Sequence, residues 1–247
     1  MSDQPTSSLY GDQPEPPKPR APSLADQILG VFTNPVELFQ RLNKAPSWGW
    51  ALGVILVAAL ILTVLWGLKV DVDEMLRPAL EKNPQIASSQ IDLIVGFYKK
   101  FIVPLSAFTT LFFTAIFTFL MAFFYWLVGK NTAENEPPSY RHALSAVAVP
   151  SLVRLPSMLL VGLICLAGTI GGLTPEKIAP TSVGYFVQVE SVKVHALLYS
   201  LDLFFIAEAV LLFLAARYTM RLKMSGAVSC VLITLVLGMG MRVLGSK

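Results

Sequence analysis

"HALLYSLDLFFIAEAVLLFLAARYTMR", residues 195–221, decides how the chain is read. It is apolar enough to cross a bilayer, yet Asp202 and Glu208 lie inside it, where an unpaired charge costs about 2.5–3.5 kcal/mol on insertion scales. Its like recurs along the chain. Runs at about 48–68, 102–127, 149–173, 196–216 and 226–244 each satisfy the rule that about 20 apolar residues span the hydrocarbon core. Hydrophobic residues make up 54% of the 247-residue sequence and charged ones only 14%, well below the roughly 25% usual in soluble domains. The expected fold is therefore all-α: a polytopic membrane protein with a five-transmembrane-helix bundle.

Ahead of the first run, residues 23–44 carry two helix signatures. Ser23 is placed to cap one helix, with Asp26 as capping-box partner. Asn34 is placed to cap a second, with Pro35 at its first position and Glu37 at its third. Leu24, Ile28, Val31, Phe32, Leu38, Phe39 and Leu42 gather near one side, and Trp48 and Trp50 follow as belt residues. The pattern predicts an N-terminal amphipathic helix pair lying in the membrane interface, with Phe32, Asn34, Pro35 and Phe39 as its marker residues. A helix packed on the protein's own core is the other reading. Residues 1–22 are polar with six prolines, have no apolar core for a signal peptide, and read as a disordered tail. The rest, 23–244, forms one membrane domain.

Arg217, Arg221 and Lys223 in a short acid-free loop, with Arg41 and Lys44 before the first span, favour a cytoplasmic N-terminus. Depth then sorts the intramembrane charges. At 1.5 Å per residue Arg154 and Glu208 lie about 8 and 12 Å from the inner edge, whereas Asp202 lies about 9 Å from the outer one. Arg154 and Glu208 are the expected pair. Asp202 is left for Arg242, or for Ser106, Thr109 or Thr110. Gly168 with Gly172, and Gly238 with Gly240, are candidate close-packing positions, and Pro104, Pro150 and Pro156 are expected bends.

No nucleotide, metalloprotease or hydrolase motif is present, and His142, His195, Cys165 and Cys230 show no metal-ligand spacing. The expectation is no catalytic residue, no metal, no cofactor and no nucleic-acid partner. The bilayer is the expected partner, with membrane-protein partners or a homo-oligomer left open.

The segments "FTNPVELFQRL", "LVGKN…SYRHALSAVAVPSLVRLPSMLL" and "LDLFFIA" resemble the YIP (Ypt/Rab-interacting protein) family over about residues 25–244. The family-like positions are Pro35, Phe39, Gly129, Tyr140, Pro150, Pro156, Asp202 and Phe204. The resemblance implies five spans, a cytosolic N-terminus and an architecture without an agreed activity. The short chain is more like bacterial members, which implies a bacterial cytoplasmic (inner) membrane. Function is then expected to be that of a non-enzymatic membrane organiser or adaptor. A transporter or channel component using Asp202 and Glu208 in a polar path is the alternative.

Overall fold

A computed structural model describes residues 19–168, 170–187, 189 and 191–245 of the chain. The tail expectation for residues 1–22 falls mostly on positions 1–18, outside the described residues. Two short helices lead in, α1 (Leu24–Thr33) and α2 (Pro35–Lys44). Ser23 accepts from the Asp26 amide at 3.2 Å while the Ser23 amide donates to the Asp26 carboxylate at 3.0 Å, closing the capping box. Asn34 ends α1 and starts α2, accepting from the Glu37 amide, and Pro35 sits where no amide hydrogen is needed.

The chain then enters α3 (Gly49–Lys69), turns through α4 (Val72–Glu81) and returns in α5 (Ser88–Thr132). Among the described residues, three helical runs are long and apolar enough to cross a membrane by length and composition: α3, α5, and the stretch Tyr140–Ala167. At 1.5 Å per residue the 45 residues of α5 measure about 68 Å, over twice the hydrocarbon thickness of about 30 Å. The helix α4 packs on the first turns of α5. Arg77 bridges Asp73 (3.0 Å) and Asp92 (2.9 Å), and Lys99 also pairs with Asp73. Lys99, then Arg77, hold the Asp73 carboxyl below its usual range.

The Tyr140–Ala167 run is not one regular helix. It consists of α6 (Tyr140–Ala148), a 3₁₀ turn Pro150–Arg154, and α7 (Leu155–Ala167). Pro150 and Pro156 both fall in first-turn positions, which a residue without an amide hydrogen can occupy. The Ser151 hydroxyl donates to the Val147 carbonyl at 3.2 Å across the break. The expected span 149–173 is thus displaced: helix begins at Tyr140 and stops at Ala167. Gly168 and Gly172 consequently lie beyond α7 rather than on it. Gly172 instead lets the backbone approach α4, where a Cβ would meet the Met75 amide nitrogen at 2.7 Å.

Short helices α8 (Pro175–Ile178), α9 (Val183–Phe186) and α10 (Val192–Ser200) fill the far end before α11 (Leu203–Tyr218) and α12 (Met224–Gly245). The expected span 196–216 is broken, because α10 ends at Ser200 and α11 restarts at Leu203.

Two apolar cores result. The larger joins Phe39 and Leu42 of α2, Leu52 and Ile55 of α3, Met121 and Tyr125 of α5, the α6–α7 junction, and Leu211 to Ala216 of α11. The smaller, around Trp66, Ile91, Val95, Val161 and Ile170, closes the opposite end. There the Trp66 indole donates to the Leu173 carbonyl at 2.9 Å.

Candidate functional site

The 3₁₀ turn that Pro150 starts delivers Arg154 to the side of α11, one and a half turns inside its N-terminus. Its Nε donates to Oε2 of Glu208 at 2.5 Å, and Nη2 makes a second bond to the same oxygen. Glu208 is 5% exposed, whereas the Arg154 side chain keeps 40% of its surface open. A charge this deep survives only with a partner, and Arg154 supplies it.

The pair forms the polar floor of a cavity of about 470 Å³. Its walls are mainly apolar, from Leu52 and Ile55 of α3, Phe113 to Met121 of α5, Val147 and Ala148 of α6, and Leu212 of α11. Ser151, Thr118 and Thr234 add hydroxyls. Sequence reasoning missed Tyr125, which is fully buried and hydrogen-bonds Thr234 on α12 at 2.8 Å. Nothing in the apolar stretch of α5 around it marks that tyrosine as inward-facing, and the bond spans 109 positions of sequence.

Asp202 does something else. Its Oδ1 accepts from the amides of Phe204 (2.8 Å) and Phe205 (3.3 Å), so it is the N-cap of α11 and not a mid-helix charge. Its other oxygen accepts from the Thr181 hydroxyl. Backbone bonds Val183 to Leu201 (3.0 Å) and Leu203 to Thr181 (3.2 Å) fix the two segments side by side. Among the described residues, the partners of Asp202 are thus Thr181 and the two amides rather than Thr109 or Thr110. Thr110 bonds Thr63 at 3.2 Å and Thr109 turns back on its own helix, while the Arg242 side chain lies outside the described residues. Asp202→Ala should cost about 0.5–2 kcal/mol, visible as faster hydrogen exchange at the Phe204 and Phe205 amides.

Asp202 lines a second cavity, of about 200 Å³, with Ser182, Ser157 and Tyr199. Arg154 borders both cavities, and Ser106, Thr109 and Thr110 border neither.

The remaining predicted positions are structural joints. Gly129 faces Pro138 so closely that a Cβ would meet its Cγ at 2.6 Å, with the Met220 methyl at 3.1 Å. Gly129→Leu should thus lower stability by about 1–3 kcal/mol through overpacking, read as a lower melting temperature in detergent. Tyr140 donates its hydroxyl to the Phe119 carbonyl at 2.9 Å and meets Trp126 edge-on at 6.3 Å. Pro150 is buried, Pro156 is exposed, and Phe204 packs on the larger core.

Of the leading helices, Phe39 is fully buried in that core, while Phe32 is 49% exposed. The expectation that both mark one outward face is corrected: α2 turns Leu38, Phe39 and Leu42 inward, and α1 turns Leu29 and Phe32 outward. Polar bonds lock α2 there. The Thr219 hydroxyl donates to the Phe39 carbonyl (3.1 Å), Asn43 donates to the Thr219 carbonyl (2.8 Å), and His142 Nε2 lies 3.0 Å from the Asn43 carbonyl. Arg217 is engaged too, bonded to Glu134 at 2.7 Å, so Arg221 and Lys223 are the exposed cations of that loop. Among the described residues, no cluster of three or more His, Cys, Asp or Glu side chains could hold a metal ion.

The family model of the Yip1 domain matches residues 29–244 of this chain. Comparison with curated proteins and with solved structures gave no match.

Proposed function

The chain belongs to the Yip1 domain family, and from that premise we propose a non-catalytic organiser of the membrane that acts through bilayer and protein contacts. In this reading α3, α5 and the α6–α7 run are joined by α11, about 24 Å long, and α12, about 33 Å long, to make five spans. The end carrying α2, Arg221 and Lys223 faces the cytoplasm of a bacterial-type cell, following the positive-inside rule.

The observation that carries the proposal is the two-sided build of the leading helices. α2 is anchored by Phe39 and Leu42, and this holds α1 against the bundle with Leu29 and Phe32, one turn apart, on a free face. An apolar stripe fixed at the end of the spans wedges into one leaflet. Arg221 and Lys223 add about 1 kcal/mol each of attraction to anionic lipid.

The test is vesicle morphology, followed by electron cryomicroscopy after reconstitution of the full chain into membranes containing phosphatidylglycerol. Wild type should change vesicle size or curvature, and Leu29→Asp with Phe32→Asp should abolish the change without loss of folding. Vesicles that match protein-free ones with wild type present would overturn the reading.

A further inference from the structure

We propose that the Arg154–Glu208 cavity binds an uncharged, hydroxyl-bearing, single-chain lipid that enters sideways from the bilayer. The inference rests on the membrane-embedded reading above and adds a ligand to it.

Access comes first. Phe113, Ile116 and Leu120 line the cavity and are also exposed on the outer surface of α5. They follow one another at helical spacing, so the cavity has a lip about 10 Å long on the face that lipid covers. What reaches this mouth is an acyl chain rather than a solute from water. A volume of about 470 Å³ lies in the range of sites for one small ligand, roughly 300–1,000 Å³, and the walls are apolar as such sites are.

The floor selects the head. Arg154 and Glu208 neutralise each other, so a ligand bearing a full charge would leave that charge unbalanced in a poorly solvated place. Both arginine bonds fall on Oε2, which leaves Oε1 of Glu208 as an acceptor and the remaining N–H groups of Arg154, on Nη1 and Nη2, as donors. The nearby hydroxyls have already committed their hydrogens. Ser151 donates to Val147, Thr118 to Thr114 at 2.8 Å, and Thr234 to Cys230 at 3.1 Å. They offer lone pairs only. The floor is therefore neutral, with acceptors on Glu208 and the hydroxyls and donors on Arg154 alone. A hydroxyl matches it, donating to Glu208 and accepting from Arg154. A carboxylate or phosphodiester does not, because each brings negative charge and no hydrogen.

The experiment uses purified full-length protein in nanodiscs and a monoacylglycerol with a photoreactive diazirine in its chain. The corresponding fatty acid and phosphatidylglycerol probes serve as comparators, and cross-linked peptides are mapped by mass spectrometry. The monoacylglycerol should label residues 113–121 and 147–151 about tenfold more than the fatty acid, the affinity ratio expected when a hydrogen bond is lost and a charge left unmatched. Ala148→Leu should reduce labelling by filling the cavity. Ile116→Trp should do so by blocking the mouth from an exposed position, where folding is not at risk. Labelling around Leu105 and Phe108, on the outer face away from the mouth, should not change.

Equal labelling by the fatty acid overturns the assignment of the head. Labelling that survives both variants, or appears only on the outer face, overturns the site itself. The outcome separates from the vesicle test: normal vesicle remodelling with no uptake of probe removes this inference and leaves the organiser reading in place.

Discussion

Arg154→Leu lowers the stability of the detergent-solubilised protein by about 3 kcal/mol or more, and adding Glu208→Leu restores most of the loss. The reason is an asymmetry in the pair. Removing the arginine strands a carboxylate that is 5% exposed, and uncompensated buried charges cost about 3–5 kcal/mol. Removing the glutamate strands a guanidinium whose side chain is 40% exposed on a long flexible stem, which can turn to water or headgroups. Glu208→Leu alone is therefore the milder single change. Replacing both removes the charge and leaves apolar groups in an apolar setting, where buried ion pairs are often dispensable. Thermal unfolding followed by tryptophan fluorescence reads all three variants. If the double variant is as unstable as Arg154→Leu, the stranded carboxylate is not the cause and the pair does not lock the 3₁₀ turn ahead of α7 to α11.

The pairing itself was legible because depth is a simple function of position along a helix. Counting residues from each membrane edge brings Arg154 and Glu208 to similar levels and keeps Asp202 away, whatever the helices' rotation. The count did not see that Asp202 caps α11, which begins at Leu203. Hydropathy sums over "HALLYSLDLFFIAEA" without noticing that Asp followed by apolar residues is also a helix start, in which the carboxylate serves two backbone amides. The same blindness displaced the α6–α7 run. "YRHALSAVA" is too polar to enter a hydropathy window, but it is helical because its inner face is covered by α5 and α11. Periodicity, likewise, reports that a face is apolar and not what covers it. The stripe holding Phe32 and Phe39 reads as one surface, although the Asn34–Pro35 junction reorients the chain between them. Tyr125 shows the other limit. In a helical stretch apolar all round, such as the one around it, no residue announces an inward direction, and only its tertiary partner Thr234 does so.

Phe39 and Phe32 turn that last ambiguity into the second large effect. Phe39→Ala removes a ring with no exposed surface, and large-to-small changes at such sites cost about 3–5 kcal/mol, from lost burial together with the cavity left behind. The hydrogen bond from Thr219 to the Phe39 carbonyl adds to the coupling, since the α2 backbone cannot close the gap without abandoning it. Phe32→Ala removes a half-exposed ring and should change stability in detergent by no more than about 0.5 kcal/mol. In a bilayer the order of the two reverses for lipid contact. Phe32→Ala weakens the hold of α1 on the leaflet, read as loss of quenching by brominated lipids of a tryptophan placed at Leu29, while folded Phe39→Ala protein keeps it. Equal stability losses for both residues would mean that α1 is packed as deeply as α2, leaving no free stripe to meet the membrane. A Phe39→Ala variant as stable as wild type would mean that α2 is held by its polar bonds to Thr219 and His142 rather than by its apolar face, and the anchor of the whole leading pair would have to be sought there.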